Sequence, residues 1–253
     1  MSFQAGADAY DRFMGRWSRP LAAELVRLVD PRQGQRALDV GCGPGALTGA
    51  LVSRLGVGHV VALDPQQGFV ETVRERLPGV EIHQGSAEAL PFADDSFDLV
   101  LAQLVVHFMA DPVAGLREMG RVARPGGLVA ASVWDHHTGS GPLSAFWDAV
   151  RALQPGAEGE DSLPGVREGE LVELAGRAGL VEPRQAVLTV HLRFDSFEEW
   201  WEPFTLGIGP AGGYVSRLDD AGVVAVRREC RKRLPEPPFE LAARAWCVIA
   251  AAG

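Results

Sequence analysis

Two acidic residues flank a glycine-rich turn in the first quarter of the chain. Asp39 lies in the apolar run ALDV, and Gly41, Gly43 and Gly45 follow it at alternate positions. A second apolar run, HVVALD, ends at Asp64, nineteen positions after Gly45. Glycine allows a sharp turn and close approach of the backbone to a ligand. An acid about 20 residues further on can accept hydrogen bonds from ribose hydroxyls. The spacing therefore predicts a site for a ligand that contains adenosine.

Two classes of ligand fit this pattern. Gly41, Gly43 and Ala46 satisfy the glycine motif of dinucleotide-binding folds. Three features favour S-adenosylmethionine: the tighter G-x-G-x-G spacing, the carboxylate of Asp39, which suits an ammonium group, and Pro44. Proline lacks the N–H that a pyrophosphate would use as a donor. For either ligand, we expect free backbone N–H groups of the turn and of the following helix to face it.

Longer stretches carry a resemblance to a known family. The segments LDVGCGPG, VVALDP, GSAEALPFADDSFDLVLAQLVVHFM and EMGRVARPGGLVAASVW occur in this order within roughly residues 8–135. They resemble the class I S-adenosylmethionine-dependent methyltransferases, and most closely the type 11 subgroup related to the ubiquinone and menaquinone biosynthesis enzymes. The resemblance implies methyl transfer by in-line displacement to a small organic acceptor, with S-adenosyl-L-homocysteine as product.

Two alternatives to this activity stay open. An NAD-dependent oxidoreductase is compatible with the glycines and Asp64, but the chain has no Tyr-x-x-x-Lys pair because Lys232 is its only lysine. A binding protein that keeps the cofactor fold without catalysis is the other alternative. It is supported only by Ser86, which stands where the family usually has an acid.

The resemblance also implies which residues contact the cofactor. Asp39 and the backbone of the turn would hold the methionine part, and Asp64 would accept the ribose hydroxyls. The alternative for Asp64 is a helix N-cap. The hydroxyl of Ser86 can still accept a hydrogen bond from adenine, although less strongly than a carboxylate. The other positions that the resemblance assigns to the cofactor are Gly41, Cys42, Gly43, Pro65, Gln66, Ala87, Glu88, Gln103 and Leu104.

The segment AYDRFMGRWSRPLA near the N-terminus permits two interpretations. In relatives such a segment folds over the cofactor, so that Tyr10 would close the acceptor side, Met14 would lie nearby and Arg16 would pair with the cofactor carboxylate. Alternatively, the segment is an amphipathic helix packed on the sheet, with Arg16 and Arg19 in solvent.

His107 is the candidate general base. It lies three residues after Leu104, near the expected position of the transferable methyl group. A base is needed only if the acceptor must lose a proton, so a pocket-wall histidine without proton transfer is the alternative. His136 is a weaker candidate. The run Asp135-His136-His137 predicts no metal site, because adjacent residues seldom point the same way.

Apolar runs alternate with helix-like segments, which predicts an α/β fold. We expect a doubly wound, mostly parallel, seven-stranded Rossmann-like sheet with an antiparallel last strand and a helical lid insertion. The predicted strands are 35–40, 59–64, 80–84, 97–103, 127–134, 186–194 and 239–250. The predicted helices are 46–55, 66–77, 111–124, 143–153 and 166–178, with a short turn at 85–90 and a broken helical stretch at 195–234.

We interpret the chain as a single domain. An N-terminal helical cap (1–34) precedes a core made of 35–194 and 239–253, and 195–238 is an insertion that covers the acceptor. Aromatic residues crowd 194–204, and four of them follow helical spacing. Packing against the core is the favoured explanation, and a lining for an apolar acceptor is the alternative. The four are Phe197, Trp200, Trp201 and Phe204.

Composition limits the partners and the compartment. The net charge of −9 gives no reason to expect nucleic acid as a partner. The N-terminal residues lack the features of a signal peptide, and no apolar run is long enough to span a membrane. Three cysteines without a C-x-x-C pair suit a reducing compartment, so a cytoplasmic location is expected. The sequence leaves the acceptor and the oligomeric state open.

Overall fold

A seven-stranded sheet organises the protein, which is described from a computed structural model over residues 7–253. The order across the sheet is β3-β2-β1-β4-β5-β7-β6. The strands are β1 (Ala37–Val40), β2 (Val60–Asp64), β3 (Glu81–Gln84), β4 (Phe97–Gln103), β5 (Ala123–Trp134), β6 (Val181–Phe194) and β7 (Phe239–Ala251). Only β7 runs antiparallel to its neighbours, β5 and β6. The predicted fold class is confirmed, and the order differs from 3-2-1-4-5-6 of dinucleotide-binding sheets.

Helices cover both faces of this sheet. They are α1 (Ala7–Tyr10), α2 (Arg16–Val29), α3 (Ala46–Leu55), α4 (Gln67–Arg76), α5 (Pro112–Val122), α6 (Ser144–Leu153), α7 (Glu170–Arg177), α8 (Phe197–Trp201), α9 (Gly209–Val215) and α10 (Asp220–Arg233). A π-helical segment, Asp11–Gly15, joins α1 to α2. Residues 1–6 of the predicted N-terminal cap lie outside the described residues. None of the helices described is both long enough and apolar enough to cross a membrane.

Alternating residues of the central strand β4 divide the core into two layers. Leu99 and Leu101 pack with α2, α3 and α6 on one face. Val100 and Ala102 pack with α5 and α7 on the other. Side chains of successive strand residues point to opposite faces, so a strand buried on both faces is apolar throughout. This arrangement brings the carboxyl ends of β1, β2 and β4 to one edge of the sheet.

Element bounds differ from the predictions where the chain turns. β5 begins at Ala123 rather than 127, because Ala123 pairs with Phe97 across a bulge. β6 extends back to Val181 because it pairs with the long strand β7. α7 begins at Glu170 rather than 166, after Gly169 adopts a left-handed conformation. The short turn predicted at 85–90 is present, and the broken helical stretch predicted from 195 consists of α8, a 3₁₀ segment (Glu202–Leu206), α9 and α10.

Candidate cofactor and acceptor site

A cleft lies at the carboxyl ends of β1, β2 and β4, where the predicted ligand site was expected. It encloses about 740 Å³, including its open mouth. Ten of the predicted site residues line it: Tyr10, Asp39, Gly41, Cys42, Gly43, Asp64, Pro65, Gln66, Gln103 and Leu104. Apolar side chains of Leu47, Phe69, Val105 and Phe108 complete much of its wall. The cleft therefore combines an apolar lining with two carboxylates.

The glycine turn needs glycine for two separate reasons. Gly41, Gly43 and Gly45 all have positive φ angles, of 71°, 53° and 94°. A Cβ on Gly41 would also lie 2.6 Å from a methyl carbon of Val105, which is too close for carbon atoms. The backbone can reach its conformation at Gly41 only without a side chain.

The N–H groups of this turn are not free, which corrects the prediction made for them. Those of Gly41 and Cys42 both donate to the carbonyl oxygen of Leu63, at 2.7 and 3.0 Å. The N–H of Gly43 donates to Oδ2 of Asp64 at 2.9 Å. β2 therefore takes up these donors, because its last residues lie directly beside the turn. A ligand in the cleft would instead meet side-chain carboxylates.

Asp39 is a buried carboxyl group with one free oxygen. Its Oδ2 accepts a hydrogen bond from Oγ1 of Thr48 at 2.6 Å, whereas its Oδ1 is buried and has no partner. Burial raises the pKa of Asp39 to about 7, against the opposing effect of the Thr48 hydrogen bond. A cationic group in the cleft would supply the missing partner and favour the ionised form.

Asp64 is held in place by the backbone. Its Oδ2 accepts from Gly43 N–H, and its Oδ1 accepts from Gln66 N–H at 2.8 Å. Burial raises the pKa of Asp64, and these two hydrogen bonds oppose that rise. The helix N-cap alternative is wrong, since the N-cap of α4 is Gln66. Each oxygen of Asp64 keeps a lone pair that can accept from a vicinal diol.

The predicted adenine loop lies beside the cleft but does not line it. The hydroxyl of Ser86 donates to the carboxylate of Glu88. Oε1 of Glu88 in turn accepts from Ala110 N–H at 2.8 Å. Ala87 is buried against α5. In this arrangement Glu88 anchors the loop to the segment that precedes α5, and its role toward adenine stays a prediction.

The end of β4 contributes a strained residue and a bridging side chain. Leu104 has a φ of 62°, an unusual value for a residue other than glycine. Nε2 of Gln103 donates to the carbonyl oxygen of Ser18 at 3.0 Å, and its Oε1 is buried without a partner. Gln103 thereby connects α2 to the sheet and leaves an acceptor atom in a residue that lines the cleft.

The N-terminal segment divides its predicted residues among three places. Tyr10 lines the cleft and packs edge-on against Phe69, and burial raises its pKa to about 12. Met14 lines a neighbouring cavity. Arg16 lies outside both: its guanidinium forms an ion pair with Glu199 at 2.8 Å and lies over the Phe194 ring. The segment thus covers the cleft with Tyr10 while Arg16 joins α2 to α8.

That neighbouring cavity, which we call the inner cavity, comprises about 440 Å³ of space including its open mouth, and it shares Tyr10, Leu104 and Phe108 with the cleft. His107 lines it, is buried, and has no partner for Nδ1. Burial, helped by nearby His136, lowers the pKa of His107 to about 3. His107 is therefore a neutral imidazole near pH 7. Burial also lowers the pKa of His136 to about 4.

Two further polar groups in the inner cavity were missed from the sequence. Glu160 is 5% exposed, and its Oε2 accepts from Trp147 Nε1 at 2.9 Å. Burial raises the pKa of Glu160 to about 7. Trp134 Nε1 is buried without a partner. Glu160 lies in an irregular loop between α6 and α7, and no local sequence pattern marks such a glutamate as buried.

The aromatic residues of 194–204 pack with one another and with the core, which is the explanation that the sequence favoured. Phe204 stacks on Phe146 with 4.6 Å between ring centroids and contacts Phe13 edge-on. The four residues with helical spacing are all buried. They line neither the cleft nor the inner cavity. Instead, Ile208, Gly209 and Pro210, which follow them, form part of the cavity wall.

The cleft fits S-adenosylmethionine by the chemistry of its groups. The unpartnered Oδ1 of Asp39 suits an ammonium group, the fixed carboxylate of Asp64 suits a ribose diol, and the apolar walls suit an adenine ring. Among the residues described, no group of three or more His, Cys, Asp or Glu side chains could hold a metal ion.

Comparisons with known proteins agree with this geometry. Residues 38–131 match a family model described as a methyltransferase domain. Malonyl-[acyl-carrier protein] O-methyltransferase of Erwinia billingiae is 37% identical over 155 residues, which cover 61% of this chain and 60% of that protein. Demethylmenaquinone methyltransferase of Renibacterium salmoninarum is 36% identical over 151 residues, covering 59% and 61%. The chain spans 37% to 61% of the length of curated relatives that it matches.

A solved structure extends the likeness of fold over nearly the whole chain. An S-adenosylmethionine-dependent methyltransferase of Thermotoga maritima superposes with a TM-score of 0.58 and 19% identity, covering 97% of this chain and 96% of that one. The predicted resemblance to class I S-adenosylmethionine-dependent methyltransferases is confirmed.

Proposed function

Since residues 38–131 match a methyltransferase domain, we propose that the protein transfers a methyl group from S-adenosylmethionine to a small organic acceptor. One observation carries the proposal: the carboxyl groups of Asp39 and Asp64 line one cleft, one with an unpartnered oxygen and the other held by two N–H groups. This pair matches an ammonium group and a ribose diol at the two ends of one ligand.

The remaining predicted contacts are part of the same proposal. Gly41, Cys42 and Gly43 would shape the cleft around the methionine part, with their N–H groups committed to β2. Pro65 and Gln66 would flank the ribose, and the loop of Ser86, Ala87 and Glu88 would border adenine. Gln103 and Leu104 would lie beside the transferable methyl group, with Tyr10 above it.

We assign the acceptor to the inner cavity. It shares Leu104 and Tyr10 with the cleft, and its lining combines aromatic and aliphatic side chains with a few polar groups, as is usual for small-molecule sites. The insertion 195–238 supplies Ile208, Gly209 and Pro210 to the wall. We therefore interpret the insertion as a lid that holds the acceptor and excludes water.

Methyl transfer requires mainly alignment from the protein. The bound sulfonium supplies a methyl group that is already activated for displacement. Holding the nucleophile on the line of the breaking bond accounts for much of the acceleration. Within the inner cavity, His107 acts as a neutral hydrogen-bonding group, because its depressed pKa makes it a weak proton acceptor.

With its three free cysteines buried, the chain suits a cytoplasmic location.

Calorimetric titration tests the proposal. S-Adenosylhomocysteine, S-adenosylmethionine and NAD⁺ are titrated into the wild-type protein, Asp64→Ala and the exposed control Asp30→Asn. We expect the first two ligands to bind the wild type and the control and to lose affinity for Asp64→Ala. Binding of NAD⁺ alone would favour an oxidoreductase. Binding of S-adenosylmethionine without methyl transfer to any acceptor in a broad screen would favour a non-catalytic binding protein.

A further inference from the structure

Two residues that line the inner cavity, His107 and Trp134, carry polar atoms that the protein leaves without a hydrogen-bond partner. Nδ1 of His107 and Nε1 of Trp134 are both buried and unpartnered. The carboxyl group of Glu160 is fixed on one oxygen by Trp147. Unsatisfied buried groups are costly in a folded protein. Because both residues line the same cavity, we infer that a ligand seated there supplies the missing partners.

We propose that Glu160 accepts the proton of the methyl acceptor, and that this acceptor is an apolar molecule bearing a hydroxyl group. The proposal rests on the proposed methyl-transfer function, because it assigns the inner cavity to the acceptor. It concerns a residue outside the stretch 38–131 that matches the methyltransferase domain.

The unpartnered atoms define the chemistry of the acceptor. The indole N–H of Trp134 can only donate, so its partner must carry a lone pair. Glu160 as a carboxylate can only accept, so its partner must carry a proton. A hydroxyl group provides both. An ammonium group would leave the indole N–H unpaired, and a carboxylate would be repelled by Glu160.

Glu160 suits proton transfer better than His107 does. Trp147 orients the carboxyl group, whereas Nδ1 of His107 has no partner that fixes its proton. The pKa of a general base should lie near the pH at which it works. The pKa of Glu160 is raised to about 7, and that of His107 is lowered to about 3.

The proton also has a route to water. Glu160 and His136 line both the inner cavity and a second, polar pocket of about 660 Å³ on the other side. This outer pocket contains Asp161 and Arg151, which form an ion pair at 2.7 Å. Glu160 thus lies between an apolar cavity and a polar one, so a proton taken from the first can leave through the second.

The step balances in atoms and charge. The O–H bond of the acceptor breaks and its proton passes to the Glu160 carboxylate. The freed electron pair on oxygen forms the new O–CH₃ bond. The S–CH₃ bond of the methyl donor breaks, and its electron pair stays on sulfur, which becomes a neutral thioether. The carboxylic acid of Glu160 then returns its proton to water in the outer pocket.

The test compares Glu160→Gln with the wild type and with Glu158→Gln, a control at an exposed position of the same loop. Glutamine keeps an oxygen for the Trp147 hydrogen bond but has no charge. The probe is phenol, whose hydroxyl group keeps its proton at pH 8, titrated by calorimetry into protein saturated with S-adenosylhomocysteine. Its methyl ether, anisole, is the matched probe without a hydroxyl group.

We expect Glu160→Gln to bind phenol about tenfold more weakly at pH 8, because hydrogen bonds to ionised groups are roughly twice as strong as neutral ones. The difference should shrink below pH 6, where Glu160 is protonated in the wild type. Glu158→Gln should match the wild type throughout, and anisole should not distinguish the variants. If phenol is methylated, kcat should fall about 100-fold or more in Glu160→Gln, with less change in KM.

The outcomes separate this inference from the proposed function. If S-adenosylhomocysteine does not bind the wild type, the proposed function fails and the inference fails with it. If it binds all variants equally but phenol binds Glu160→Gln as it binds the wild type at pH 8, only the role of Glu160 is refuted. Preferential binding of benzylammonium to the wild type would overturn the hydroxyl assignment. Trp147→Phe, which releases the carboxyl group, should weaken phenol binding in the same direction.

Discussion

Replacing Asp39 by asparagine should change how stability depends on pH. In the folded protein the pKa of Asp39 is about 7, against an ordinary value of 3.8. Below about pH 4 the group is protonated in both states. Between pH 4 and 7 it is ionised only in the unfolded chain, so unfolding releases a proton and stability falls as pH rises. Above pH 7 both states are ionised and the loss is complete.

The magnitude follows from the shift in pKa. About three pKa units at about 1.36 kcal/mol each give roughly 4 kcal/mol of stability lost between pH 4 and pH 8. Asparagine can still accept the hydrogen bond of Thr48 but has no charge to lose. Groups that do not interact with Asp39 titrate alike in the two proteins, so their contributions cancel in the difference between the two free energies of unfolding.

The assay is urea unfolding of both proteins at four pH values between 4 and 8. The wild type should lose up to about 4 kcal/mol relative to Asp39→Asn over this range. Asp30→Asn, an exposed change of the same charge, should follow the wild type. The quantity to follow is the difference in the free energy of unfolding between the wild type and Asp39→Asn. If that difference changes by less than about 1 kcal/mol between pH 4 and pH 8, the reasoning is refuted, because Asp39 would then titrate alike in the folded and unfolded states.

Ligand binding provides a second measurement on the same pair. At pH 6 Asp39 is mostly protonated, and a bound ammonium group should ionise it. S-Adenosylhomocysteine should therefore release nearly one proton from the wild type. Calorimetry in two buffers with different ionisation enthalpies measures this release. Equal proton release from Asp39→Asn would contradict an ammonium group beside Asp39.

Three further predictions concern the scaffold and its boundaries. Gly41→Ala should destabilise the fold by roughly 1–3 kcal/mol in urea unfolding, since its Cβ would meet Val105. Adding Val105→Ala should restore part of that loss. If the double variant instead loses the sum of the two single losses, the clash is not the cause. Phe204→Ala should cost about 3–5 kcal/mol by the same measurement, since it removes a buried ring stacked on Phe146, and a loss below about 1 kcal/mol would show that the cluster relaxes. Arg16→Ala should leave the Kd of S-adenosylhomocysteine unchanged, because Arg16 pairs with α8 outside the cleft; a tenfold weaker Kd would support the cofactor-carboxylate interpretation instead.

Local sequence patterns predicted the elements well where one pattern decides the structure. The helix 46–55 has the predicted bounds, and β4 has the predicted range 97–103. The start of α5 was also predictable from a local pattern. Asp111 accepts hydrogen bonds from two N–H groups of the first turn, and Pro112 follows it. Errors occur where pairing with a distant strand extends an element, as at the starts of β5 and β6.

The sequence by itself determined where the carboxylates of Asp39 and Asp64 lie. Each ends or nearly ends a parallel strand, and the carboxyl ends of such strands share one edge of the sheet. Only the tertiary structure decided which atoms remain free at that edge. The N–H groups of the turn are taken up by Leu63 and Asp64, and Glu160 reaches the inner cavity from a distant loop. Contacts of this kind depend on how loops pack over the sheet, and the local preferences of the residues do not determine that packing.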